Sequence, residues 1–166
     1  MSTKKHEGHP HLTGEHRFGD AGQLILFLLF LGIWITDSFI LHYSTFLIDR
    51  FPDYIRLALA GVVLVAGWYL ARQGMKEVFG TTREAPEVIS SGVFRFVRHP
   101  IYTGAILFYL AAILSTLSLI SAAFWLVIIG FYIYISRYEE RILAETFGDD
   151  YLKYKKKTGM LFPKLF

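Results

Sequence analysis

The sequence predicts an all-α protein, a polytopic membrane helical bundle with four transmembrane helices. The first observation is composition: 54% of the 166 residues are hydrophobic and the mean hydropathy is +0.41, which is too apolar for an ordinary water-soluble domain. The second is length, because the apolar residues fall into four stretches close to the ~20 residues that cross a bilayer as a helix. These predicted spans are residues 23–47, 54–75, 101–117 and 119–138, within a single membrane domain of residues 21–166.

Residues 1–20 are polar and precede the first span, so we predict a disordered cytoplasmic tail there. Four histidines of this tail are spaced irregularly among glycine and proline, a pattern that offers no fixed ligand geometry, and we predict no metal site. The first span begins too late and is too long for a cleaved signal peptide. We therefore expect it to remain in the mature protein.

Lysine and arginine lie mainly before the first span, between the second and third spans, and after the fourth. Because positive residues concentrate on the cytoplasmic side of membrane proteins, we predict that both termini are cytoplasmic. The formal net charge is +3, but the basic residues form no nucleic-acid-binding motif, so nucleic acid is not an expected partner. Membrane lipid headgroups suit the basic residues better. The sequence has no cysteine, which excludes disulfides, thiolate metal sites and a cysteine nucleophile.

The second span carries small residues on one helical stripe, at Ala60, Gly67, Ala71 and Gly74. Small residues let membrane helices approach closely, so the stripe predicts a helix-packing surface. The sequence does not separate packing within one chain from packing between two, and a homodimer remains an open alternative.

The third and fourth spans are separated only by the short polar segment 115–118, which predicts a tight hairpin of antiparallel helices. Pro100 suits the first turn of a helix, where its missing N–H costs nothing, so the third span should start there. The free N–H groups of that first turn would then face the cytoplasmic mouth of the bundle.

Ionisable residues at this mouth are candidates for chemistry. On the fourth helix Tyr132, Ser136 and Glu139 share one face, and Glu140 adjoins them. Spacing alone leaves two interpretations of the glutamates open. They are either site residues or ordinary helix-end carboxylates that are solvated or paired with nearby arginines. His99, beside Pro100, could equally hydrogen-bond the loop backbone.

The carboxyl-terminal half contains three motifs: Arg98-His99-Pro100-Ile101-Tyr102-Thr103-Gly104, Tyr138-Glu139-Glu140-Arg141, and Phe147-Gly148 followed by Tyr151-Leu152-Lys153-Tyr154. Together they resemble the isoprenylcysteine carboxyl methyltransferase family and the related phospholipid N-methyltransferases. The resemblance covers residues 88–163. It implies S-adenosylmethionine bound in a cytoplasmic region of residues 80–104 and 136–166, with a lipid-like acceptor arriving from the bilayer.

The resemblance also implies roles for individual residues. Arg98 would be catalytic by orienting a carboxylate acceptor bidentately, and Glu140 would be catalytic as well as cofactor-binding. The remaining cofactor-binding residues implied by the resemblance are His99, Pro100, Tyr102, Gly104 and Glu139. Asp37 lies within the first span, where a carboxylate should face the bundle interior or a watery cavity, and we expect its substitution to change acceptor turnover.

An isoprenylcysteine-like acceptor is the first expectation, with a phospholipid or a small amine or thiol as alternatives. The eukaryotic prenylcysteine enzymes have several basic residues before the glutamate pair, where this chain has only Arg137. The membrane sterol reductases, which use NADPH, share an Arg-x-Pro-x-Tyr motif. Glu139-Glu140 resembles the methyltransferases and favours them over these reductases.

Overall fold

A computed structural model describes residues 19–80 and 87–164. Four α-helices dominate this part of the chain: α1 (Gly19–Ile35), α2 (Asp53–Phe79), α3 (Pro100–Thr116) and α4 (Leu119–Lys157). No β-strand occurs within the described ranges. The predicted amino-terminal tail, with its histidines, lies outside the described residues up to residue 18, and α1 already begins at Gly19.

Three helical segments are long and apolar enough to cross a membrane: Gly19–Leu41, Asp53–Phe79 and Leu119–Lys157. They confirm the prediction of an all-helical protein with several membrane-length helices. The helix α3 has 17 residues and is therefore about 25 Å long, shorter than the ~30 Å hydrocarbon core. Four crossings and cytoplasmic termini stay predictions.

The first span ends earlier than its predicted limit at residue 47. After α1 a π-helical turn, Thr36–Leu41, closes the helix, and His42 adopts a left-handed conformation with φ of 51°. The chain reverses there because the carboxylate of Asp37 accepts hydrogen bonds from Ser44, at 2.9 Å from the backbone N–H and 2.5 Å from the hydroxyl. Apolar composition continues beyond residue 41, but this polar contact ends the helix.

The helices α2 and α3 pack through glycines. A Cβ added to Gly104 would lie 2.6 Å from the carbonyl oxygen of Gly67, and one added to Gly67 would lie 2.9 Å from the carbonyl oxygen of Gly104. Ala60 and Gly74 of the same stripe are also buried, and Pro100 lies against Gly74. The small-residue stripe therefore serves contact within the chain. A homodimer stays a prediction and would need another surface.

The hairpin between α3 and α4 has the predicted form. Leu117 is left-handed with φ of 51°, and the Ser118 hydroxyl caps α4 by accepting a hydrogen bond from the Ser121 backbone N–H. The antiparallel pair encloses, with α1, the apolar core. Its buried members are Phe30, Ile106, Tyr109, Ile113, Ile128, Tyr132, Ile135 and Leu161.

The fourth helix breaks at Gly148, where φ is 53° and ψ is −129°. Helical structure then resumes and continues to Lys157. The chain then turns back across the start of α3. Backbone hydrogen bonds join the Arg98 N–H to the Gly159 carbonyl at 2.8 Å and the His99 N–H to the Met160 carbonyl at 3.1 Å.

Candidate active site

A buried ion pair between Arg98 and Glu140 lies at the centre of the site. The Arg98 Nε and Nη2 atoms each lie 2.7 Å from Glu140 Oε1. The other carboxylate oxygen of Glu140 is 2.9 Å from Lys155 Nζ. The Glu140 side chain is only 3% exposed, whereas Lys155 is 44% exposed. Glu140 therefore connects the start of α3 with the last turns of α4.

The imidazole of His99 lies between the two glutamates. Its Nδ1 is 3.4 Å from Glu139 Oε2, and its Nε2 is 3.4 Å from Glu140 Oε1. Both separations exceed ordinary hydrogen-bond distances, so the attraction is mainly electrostatic. Burial favours the neutral imidazole, but the two carboxylates outweigh burial and raise the pKa of His99 above its usual value.

Glu140 lies beyond the apolar part of α4, which ends at Tyr138. Burial favours its neutral acid, but the neighbouring His99, Arg98 and Lys155 outweigh burial and lower the pKa of Glu140 to about 2. Glu140 is therefore ionised at neutral pH, with Arg98 and Lys155 as its positively charged partners.

Tyr102 joins this polar cluster to the apolar core. Its hydroxyl donates a hydrogen bond to Glu139 Oε1. Its ring stacks on His99 with centroids 5.6 Å apart and an interplanar angle of 7°, and it contacts the Tyr132 ring at 5.2 Å. Tyr102 thus contacts the charged residues His99 and Glu139, and its ring also packs against the apolar core.

The carboxyl-terminal segment closes the site. Arg98 Nη1 donates to the carbonyl oxygens of Lys155, at 3.1 Å, and Thr158. The Thr103 hydroxyl donates to the Leu161 carbonyl at 2.9 Å, and the Tyr154 hydroxyl donates to the Phe94 carbonyl at 2.7 Å. Sequence reasoning missed Lys155 as part of the site, because a lysine run after a membrane helix is typical of headgroup binding.

Two buried hydroxyls near the glutamates have no hydrogen-bond partner among the described residues: Ser136 Oγ and Tyr151 OH. Ser136 is completely buried, one helical turn before Glu140 on α4. Buried polar groups are normally paired, so unpaired ones in a site favour a ligand that supplies the missing contact. An open cleft of about 370 Å³ is lined by Tyr154 together with Glu87, Val88, Ser90, Phe147 and Asp150.

Of the residues that the resemblance assigned to the site, the structure brings together Arg98, His99, Tyr102, Glu139 and Glu140. Pro100 and Gly104 instead face α2 at Gly74 and Gly67. Their cofactor-binding role stays a prediction, and the structure gives both a packing function. No group of three or more metal-ligating side chains occurs among the residues that the structure describes.

Asp37 lies at the other end of the bundle. Its carboxylate accepts a hydrogen bond of 2.6 Å from the Ser118 hydroxyl, besides those from Ser44. Ser118 and Glu139 are separated by about 31 Å along α4. The oxygens of Asp37 therefore join the end of α1 to the α3–α4 hairpin. An effect of Asp37 on acceptor turnover stays a prediction.

The amino-acid sequence is similar to those of known methyltransferases. The sequence profile of the phospholipid methyltransferase family matches residues 54–150. Methanethiol S-methyltransferase 1 of Bradyrhizobium diazoefficiens is 34% identical over 93 residues, covering 55% of this chain and 31% of that protein. Methanethiol S-methyltransferase of Pseudomonas deceptionensis is 33% identical over 113 residues, covering 63% of this chain and 42% of that protein. The matches thus span less than half of each relative's length.

Proposed function

Since the chain belongs to the phospholipid methyltransferase family, as the sequence motifs predicted, we propose that it methylates a small thiol with S-adenosylmethionine as donor. The observation that carries the proposal is the cluster of Arg98, His99, Tyr102, Glu139 and Glu140 between the apolar core and the charged end of α4. Both curated relatives are named as methanethiol S-methyltransferases, which supports a thiol acceptor.

The exposed charged side chains of the cluster are complementary to the charged groups of the donor. When bound, the donor supplies a methyl group on a positively charged sulfur, together with an ammonium and a carboxylate. Glu139 keeps 21% of its side chain exposed and would attract the cationic parts. Lys155, 44% exposed, would bind the carboxylate. The unpaired hydroxyls of Ser136 and Tyr151 offer further hydrogen-bonding groups.

Glu140 has a different role in this proposal. At 3% exposure, with Arg98 and Lys155 on its oxygens, it orients the charged groups around it. Methyl transfer requires the nucleophile to lie in line with the methyl carbon, and much of the acceleration comes from positioning and exclusion of water. The returning segment at Thr158 and Leu161, both buried, supplies that exclusion.

The contacts of Arg98 argue against a carboxylate acceptor. Its Nε and Nη2 bind Glu140, and its Nη1 binds two backbone carbonyls. Recognition of a second carboxylate would need a bidentate edge of the guanidinium that these contacts already use. An isoprenylcysteine-like acceptor is therefore the second candidate, behind the thiol. NADPH-dependent reduction is not proposed, because the chain belongs to a methyltransferase family.

Equilibrium binding of labelled S-adenosylmethionine to protein in lipid nanodiscs tests the donor. We expect Glu139→Gln and Lys155→Gln each to weaken binding about tenfold, an effect worth about 1.4 kcal/mol. The matched controls are Glu145→Gln and Lys153→Gln, whose side chains are exposed on the same helix. Absence of donor binding to the wild-type protein would refute the proposed function.

Product analysis tests the acceptor. Ethanethiol, a prenylcysteine analogue and phosphatidylethanolamine are offered separately with the labelled donor, and methylated product is quantified. We expect transfer to the thiol. Transfer to the prenylcysteine carboxylate or to the phospholipid amine alone would keep the methyltransferase proposal and overturn the thiol.

A further inference from the structure

We propose that Tyr102 and Glu139 form the proton acceptor of the site, with the Tyr102 hydroxyl contacting the acceptor thiol and Glu139 receiving the proton. The inference rests on the proposed thiol methylation and identifies how the thiol becomes a nucleophile. It goes beyond the cofactor-binding role that the sequence motifs implied for both residues and that is proposed above for Glu139.

The location of the pair supports this role. Tyr102 lies in the first turn of α3, where its hydroxyl donates to Glu139 and its ring contacts Tyr132 of the core. Tyr102 therefore has its ring against the apolar core and its hydroxyl on a charged residue. An acceptor with an apolar body and a polar S–H group requires both kinds of neighbour.

The chemistry of a thiol requires such a group. A thiol with a pKa near that of cysteine, about 8.5, is mostly neutral at pH 7, whereas the thiolate is the nucleophile. The pKa of a tyrosine hydroxyl, about 10, is close enough to that of a thiol for the hydroxyl to relay the thiol proton while its own proton moves to a carboxylate. A carboxylate acceptor would need no such relay, because it is already ionised.

The step balances as follows. The acceptor S–H bond breaks, its proton passes to the Tyr102 oxygen, and the Tyr102 proton passes to Glu139. The sulfur electron pair forms the new S–C bond to the donated methyl group. The electron pair of the donor's S–C bond stays on the donor sulfur, which becomes a neutral thioether. The proton on Glu139 leaves to water when the products depart.

Two neighbours hold the Glu139 carboxylate in position beside the Tyr102 hydroxyl. His99 Nδ1 lies 3.4 Å from its Oε2, and Tyr102 binds its Oε1. Other charged and titratable groups around the pair are Arg98, Glu140 and Lys155 on the mouth side and Tyr132 on the core side. Arg98 and Lys155 both contact Glu140, and His99 contacts Glu139.

The test compares two thiols of different acidity with the Tyr102→Phe variant, which keeps the ring and removes the hydroxyl. The wild-type protein and the variant are assayed in nanodiscs with each thiol, at saturating donor and about pH 7.5. At this pH a nitrothiophenol is already ionised and ethanethiol is not. We expect Tyr102→Phe to slow ethanethiol methylation about 100-fold and to leave nitrothiophenol methylation nearly unchanged. Tyr69→Phe, an exposed tyrosine of α2, is the matched control.

The pH profile provides a second kinetic readout. In the variant only the thiolate already present in solution can react, so the ethanethiol rate should rise about tenfold per pH unit below the thiol pKa. The wild-type rate should depend less steeply on pH. Equal slowing of both thiols, with an unchanged profile, would overturn the proton-acceptor role and leave Tyr102 a structural residue.

A binding measurement without donor separates this inference from the proposed function. The absorbance of bound nitrothiophenol reports its ionisation. We expect its apparent pKa to rise in Tyr102→Phe, because the thiolate loses a hydrogen-bonding hydroxyl, and to fall in Glu139→Gln, because a negative charge beside the thiolate is removed. An unchanged pKa in both variants would overturn the inference even if methylation occurs. Wild-type protein that binds donor but methylates no thiol would instead refute the proposed acceptor. Glu139→Gln also serves if Tyr102→Phe does not fold.

Discussion

Arg98 and Glu140 are joined by two contacts of 2.7 Å across 42 residues of sequence. The pair connects the start of α3 to the charged half of α4, and Arg98 also holds the carbonyls of the returning carboxyl-terminal segment. One ion pair therefore stabilises the mouth of the bundle and sets the position of the neighbouring Glu139 and His99. Changes at this pair should affect both stability and ligand binding.

Glu140→Gln should destabilise the protein by about 3 kcal/mol, because it leaves Arg98 buried without its counter-charge. The measurement is the unfolding midpoint in detergent. Glu145→Gln, an exposed carboxylate on the same helix, is the control and should change little. Equal midpoints for the two variants would show that the ion pair contributes nothing to stability.

Gly104→Ala should destabilise the contact between α2 and α3, since the new Cβ would lie 2.6 Å from the Gly67 carbonyl oxygen. Overpacking of this kind costs about 1–3 kcal/mol. Gly61→Ala is the matched control, because no atom lies within 4 Å of a Cβ there. Helix propensity alone should make the control neutral or slightly stabilising. A loss of stability in both variants would indicate a general effect of alanine.

Asp37→Asn should lower stability by about 1–3 kcal/mol, because the amide nitrogen cannot accept the hydrogen bonds that the Ser44 and Ser118 hydroxyls donate. Donor affinity of the folded fraction should not change, since the residue lies at the opposite end of α4 from Glu139. Asp49→Asn, at an exposed position, controls for loss of charge. A selective loss of turnover without loss of stability would return Asp37 to the acceptor pocket.

His99 should make stability depend on pH. Because the folded state raises the pKa of His99 above 6.5, its contribution is complete below about pH 6.5 and is lost as the pH rises through the folded-state pKa. The unfolding midpoint of the wild-type protein should therefore fall with rising pH in this window more than that of His99→Gln. Parallel curves for the two proteins would exclude this contribution.

Much of the architecture was predictable from local sequence. The apolar stretches indicated the helices, and the short polar segment at Ser118 indicated the hairpin. The end of the first span was wrong by several residues, because a hydrogen bond between Asp37 and Ser44 decides it. Hydropathy measures the preference of each residue for lipid and does not register such a contact.

The motifs likewise identified most residues of the candidate site, but they did not show which of these side chains contact one another. They pointed to Arg98, His99, Tyr102, Glu139 and Glu140, which the structure brings together. They did not distinguish the buried Glu140 from the reachable Glu139, or indicate that Lys155 pairs with Glu140. Adjacent residues on a helix differ in direction by about 100°, so burial depends on which neighbour packs against each.

The sequence by itself determined the class of protein, the approximate helices and the family, because composition, periodicity and motif spacing are local properties of the chain. Tertiary structure decided which residues meet. Gly104 became a packing residue and Asp37 a structural one through contacts with distant segments. Tyr102 reached Glu139 on another helix. Such pairings depend on how close the helices approach and how they are rotated, which is set by packing over the whole bundle.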